Sequence, residues 1–108
     1  MTRYLIEGTY SPDGAKGLLA QGGSSRKAQI ADFIKGLGGT LECFYWAFGD
    51  TDFYIIAEVP DPATMAAIGL TVSGAGAAHT HTTVLLTADE IDQAHGKKVD
   101  YVVPGAAR

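Results

Sequence analysis

Two histidines separated by one residue, His79 and His81, head a threonine-rich run, HTHTTVLLT, in a chain with only three histidines. On a strand, residues two apart share a face at roughly 6 to 7 Å, a spacing at which two imidazoles can serve one metal ion. A carboxylate would complete such a set. Glu7 and Glu58, each inside an apolar run, are the candidates. Two histidines and a carboxylate suit iron, manganese or zinc and leave positions open for substrate. The same residues have a metal-free use, with His79 or His81 as general base and Tyr45, Tyr54 or a buried glutamate as proton donor, because a pocket moves carboxylate and imidazole pKa values toward neutrality. They also have a structural use, the histidines as polar groups on an exposed edge strand and the glutamates as partners of Arg3 or of another copy's lysine. The residues name no cofactor.

These side chains are positioned by a short series of elements. Arg3 to Tyr10 alternates like a strand and stops at Ser11-Pro12-Asp13-Gly14, which supplies a turn and a helix cap. The helical stretch that follows breaks at Gly22-Gly23, is recapped by Ser24 or Ser25, runs to Leu37 and ends at Gly38-Gly39. Leu18, Leu19, Ile30, Phe33, Ile34 and Leu37 form its apolar stripe. Thr40–Phe48 and Phe53–Val59 read as strands joined by the tight turn Gly49-Asp50-Thr51-Asp52. Asp61 caps a helix from Pro62 to Val72, SGAGAA leads to a strand from His79 to Leu86, and Thr87 caps a last helix to His95. The order strand, helix, strand, strand, helix, strand defines an α+β domain of βαββαβ type. It occupies residues 1–97, with residues 98–108 as a C-terminal tail.

Composition excludes several function classes. With 46% hydrophobic and 19% charged residues the chain is globular, and a net charge of -4 without a basic stripe argues against nucleic acid as a partner. Cys43 is the single cysteine, so no intrachain disulfide and no thiolate metal cage can form. A reducing cytoplasm fits, since neither a signal-type N-terminus nor an apolar run of membrane-spanning length is present. A domain this small leaves much surface wet, so covering an apolar sheet face with a second copy would add stability.

The runs AKGLL at residues 15–19, FGDTD at 48–52 and HTHTTVLLTADE at 79–90 resemble the GYD-domain proteins over nearly the whole chain to about residue 95. The Gly-Tyr-Asp triplet of that family corresponds to Gly49 or Asp50 with Asp52, the aromatic standing at Phe53 or Tyr54. The resemblance implies a ferredoxin-like antiparallel sheet related to the dimeric α/β barrels, and it implies no particular reaction. A more distant similarity is to the effector-binding domain of leucine-responsive transcription regulators, which share a Gly-Asp-aromatic-Asp hairpin and a Thr-rich closing strand. The helix-turn-helix of those regulators has no counterpart in these 108 residues. The similarity therefore implies a ligand-binding and assembly module.

The strand order this resemblance implies is last, first, third, second, which makes the first and third strands central and, in this expectation, parallel. Alternation then puts Phe53, Ile55, Ala57 and Val59 beneath the helices and Tyr54, Ile56 and Glu58 on the open face. Leu5, Glu7 and Thr9 join the open face, unless Tyr4, Ile6 and Gly8 exchange with them. Glu42, Phe44, Trp46 and Phe48 share one side of the second strand, and His79, His81, Thr83 and Leu85 one side of the last. If all these sets point away from the helices, a second protomer closes over Phe44, Trp46, Tyr54, Glu7, Glu58, His79 and His81, an aromatic cavity with convergent polar groups. Cys43 then lies inert beneath the helices, and Asp50 and Asp52 serve the turn at the end of the sheet opposite His79. The expected function is small-molecule binding by a homodimer or larger ring that contacts neither nucleic acid nor membrane. The alternatives are a small enzyme of isomerase, cyclase or monooxygenase type, with His81, Glu58 and Glu7 as catalytic groups and His79 and His81 as ligands of any metal, and an assembly protein without ligand.

Overall fold

The computed structural model describes residues 1–106, so the last two residues of the 98–108 tail lie outside the described residues. The elements follow the order β1 (Thr2–Tyr10), α1 (Pro12–Gln21), α2 (Gly23–Gly36), β2 (Thr40–Trp46), β3 (Phe53–Val59), α3 (Pro62–Ala75), β4 (Ala78–Leu85) and α4 (Ala88–Gly96). The strands form one sheet in the order β2-β3-β1-β4, and every neighbouring pair is antiparallel. The expectation that β1 and β3 run parallel is therefore corrected. Each helical crossover returns the chain in its original direction two places away, so the strand inserted between runs the opposite way.

Helices cover one face. Tyr4 and Ile6 of β1, Phe44 of β2 and all four alternating residues of β3, Phe53, Ile55, Ala57 and Val59, are buried there against Ile34 of α2 and Met65 and Ile68 of α3. The rest of the apolar stripe of α1 and α2 contributes less. Leu18 and Ile30 are half-buried, while Leu19, Phe33 and Leu37 are exposed. Each buried Val, Ile, Phe or Met side chain of this core stabilises the fold by about 1.5–3 kcal/mol relative to an exposed one. Gly8 belongs to the same face because the Phe53 ring lies over it, and a Cβ there would sit 2.0 Å from the ring.

Local capping sets most helix starts. Ser11 accepts from the Gly14 N–H, Asp61 from the Thr64 N–H, and Thr87 with Glu90 forms a reciprocal capping box. The start of α2 differs from expectation. Gly22, at φ 83°, takes the cap position in place of Ser24 or Ser25, because the chain must leave α1 through a left-handed residue before it can turn into α2. After α4, which buries no residue, the described chain runs to residue 106 without helix or strand. The resulting long axis is 61 Å, and the radius of gyration of 17.6 Å exceeds the ~13 Å of a compact chain this size.

Candidate functional site

The face of the sheet away from the helices carries the chemistry. The register sets Tyr45 opposite Tyr54, Tyr54 opposite Glu7, and Glu7 opposite His81, so one row crosses all four strands. Directly opposed residues on one face have Cβ atoms about 4.5–5.5 Å apart, within reach of a hydrogen bond or a shared ligand. His79 stands opposite Thr9, one row toward the hairpin turn. Both histidines are exposed, and Tyr54 is 38% exposed.

The antiparallel order also places the Gly49–Asp52 turn at the His79 end of the sheet, contrary to expectation. The Thr9 hydroxyl donates to the Asp50 carbonyl (3.0 Å), the Tyr10 N–H donates to the Asp52 carboxylate (2.8 Å), and the Asp52 N–H donates to the Gly8 carbonyl (2.8 Å). These aspartates do turn chemistry as expected, but they pin the hairpin to the end of β1, beside the strand that carries His79. Strand direction could have located them, since a β2–β3 turn must lie where β1 ends when β1 and β3 run opposite ways.

At the other end of the sheet Glu58 is committed to a different partner. Its register neighbour is Arg3, whose Nη2 donates to Glu58 at 2.5 Å and whose Nε donates to Glu42 at 2.8 Å. The hydrogen bond and charge of Glu42, with the charge of Glu58, raise the Arg3 pKa further, so the guanidinium stays cationic. Arg3 pairs across the sheet with Leu85, four residues along β4 from His81, or roughly 13 Å at strand rise. The expected grouping of Glu58 with the histidines is thus corrected, and only Glu7 adjoins them. Among the described residues no three His, Cys, Asp or Glu side chains gather closely enough to hold a metal ion.

Phe44 and Trp46 are also placed differently. Phe44 is buried under the helices, stacked on Trp46 with ring centroids 4.1 Å apart and tilted against Phe53 at 5.8 Å. The cause is a bulge. Leu41 pairs with Ala57 and Cys43 with Ile56, so Glu42 is an extra residue in β2 that reverses the alternation beyond it. Glu42 keeps its open-face position beside Arg3, whereas Phe44 and Trp46 pass to the core side and Cys43, half-buried opposite Ile56, passes to the open side. Under the helices Trp46 Nε1–H donates to the Tyr10 hydroxyl at 3.0 Å, a contact the sequence did not suggest.

A four-stranded antiparallel sheet with helices on one face and a polar row on the other defines the ferredoxin-like α+β class. The GYD domain model matches residues 4–95, and the chain belongs to that family. No curated protein and no solved structure matches it. Among the described residues, no helix is long and apolar enough to cross a membrane.

Proposed function

We propose that this chain binds a small polar molecule on its open sheet face and that a second copy of the chain closes the site. The row Tyr54–Glu7–His81 carries the reading, because it sets a carboxylate between a phenol and an imidazole on a surface no helix covers. Around it the half-buried Leu5, Ile56 and Leu85 offer apolar area to a facing copy. Burial of such area is the main favourable term in association, while the polar row selects the ligand. His79, beside Thr9, borders the same surface.

The Glu7–His81 pair also favours a second reading, a small enzyme. A carboxylate directly opposite an imidazole can orient the ring, as general acid–base catalysis requires. Glu58, engaged with Arg3 at the far end, would then act on the interface rather than on a substrate.

Native mass spectrometry of the full chain without a histidine tag tests both readings. The expected result is a homodimer or larger ring retaining a mass excess, with Ile56→Lys giving folded monomer and Glu7→Gln losing the excess while keeping the assembly. A wild-type protein that is monomeric at tens of micromolar would overturn the shared site. Turnover of the retained molecule, lost in His81→Ala at unchanged assembly mass, would select the enzyme.

A further inference from the structure

On the opposite side of the sheet, between it and helices α2 and α3, lies a cavity of about 150 Å³. Its wall includes Ile30 and Phe33 of α2, Ile68 and Val72 of α3, and Phe44 and Phe53 of the sheet. Native interiors hold few voids larger than a water molecule, and an apolar cavity of roughly 150 Å³ stays dry and accepts a molecule the size of benzene. Here the void is built into the main core of a 108-residue chain. The two helices lean on the sheet rather than closely on each other, which leaves the space between them.

One charged side chain reaches this apolar wall, Arg26. Arg26 Nη1 donates to the neutral side chain of Gln29 at 2.8 Å. That bond is solvent-exposed, so the guanidinium stands where the cavity wall meets solvent, a position from which it can meet an anion entering the cavity. Tyr10 contributes a second polar group to the wall. Its hydroxyl oxygen accepts from Trp46 Nε1–H, so its own proton remains available for donation. Both groups belong to one end of the cavity. A Cβ at Gly23 would lie 3.6 Å from the Trp46 ring, so the first turn of α2 rests on the indole bonded to Tyr10, and Arg26 follows three residues later. That turn starts at Gly22 without a side-chain cap, and its dipole adds partial positive charge.

We infer that this cavity is a binding site for a small carboxylic acid with an apolar body about the size of one aromatic ring. The carboxylate is held by Arg26 and the Tyr10 hydroxyl, and the body fills the space between Phe44, Ile68 and Val72. The site is distinct from the open face, from which the sheet itself separates it.

Methyl NMR on the full-length protein, titrated with phenylacetate and separately with toluene, tests the assignment. Both probes are expected to shift the methyls of Ile30, Met65 and Ile68 saturably and to leave those of Leu5 and Ile56 on the open face in place. Gly69 also lines the cavity, and a Cβ there meets nothing within 4 Å, which makes Gly69→Leu the variant that tests filling of the space. That variant should retain the folded spectrum and lose both ligands. Arg26→Gln should weaken phenylacetate by about tenfold or more, the cost of losing a charge-assisted hydrogen bond, and leave toluene unchanged. Shifts confined to Leu5 and Ile56, no saturable shift with either probe, undiminished binding to Gly69→Leu, or equal phenylacetate affinity in Arg26→Gln would each overturn the proposal.

Discussion

Replacing Gly69 measures the cavity without any ligand. Gly69 lies inside α3 and on the cavity wall, with open space where its Cβ would stand. Gly69→Ala removes a helix-interior glycine and is expected to stabilise the protein by about 0.8–1 kcal/mol. Leucine has nearly the helix propensity of alanine, so any further gain in Gly69→Leu reports filling. Its three additional carbons, if they enter the apolar space, contribute roughly 0.8 kcal/mol each, about 2 kcal/mol in all. Urea unfolding followed by far-UV circular dichroism should therefore show the midpoint rising in the order Gly, Ala, Leu at constant slope, the slope reporting surface exposed on unfolding. Leucine no more stabilising than alanine would mean that position 69 faces solvent, and leucine less stabilising than glycine would mean that the space is already filled. The first result would refute the placement of Gly69 on the cavity wall, and the second the cavity itself.

Further outcomes follow from polar groups outside it. The Tyr4 hydroxyl is buried without a hydrogen-bond partner among the described residues, a state that costs about 1–3 kcal/mol, so Tyr4→Phe should raise stability by about 1 kcal/mol in the same unfolding assay; a loss would reveal a partner. The Asp61 carboxylate accepts from the backbone N–H and the hydroxyl of Thr64, both at 2.8 Å, which lowers its pKa below the usual 3.8. A depressed carboxylate contributes stability that is fully present above its unfolded pKa and is lost as pH falls through the folded value. The stability gap between wild type and Asp61→Ala, read from thermal melts, should thus stay constant from neutral pH to about pH 5 and shrink below the unfolded pKa. A gap that widens in acid would contradict this account of the cap.

Much of the fold was legible because its signals are local. Alternation in β3 sorted Phe53, Ile55, Ala57 and Val59 from Tyr54, Ile56 and Glu58 correctly, since a strand bounded by a tight turn and Pro60 has little freedom to slip. The caps at Ser11, Asp61 and Thr87 were equally readable, because each side chain bonds a backbone N–H three residues away. Of the candidate site, Glu7, Tyr54, His79 and His81 fell on the expected face by the same alternation. Phe44, Trp46 and Cys43 did not, because one extra residue at Glu42 reverses the parity of β2.

The sequence by itself determined the order of elements, the family, the turns and caps, and the open-face residues of the regular strands, all properties carried within a few neighbouring positions. Only the tertiary structure decided the rest. A bulge exists only relative to the strand it pairs with, so the aromatic pair of β2 was assigned to its face by β3. Strand direction depends on where two helical crossovers return the chain, which brought the Asp50–Asp52 turn to the His79 end and carried Glu58 away to Arg3. The cavity beneath the helices has the same origin, since a void is bounded by residues from α2, α3 and the sheet, and no short segment encodes the distance between them.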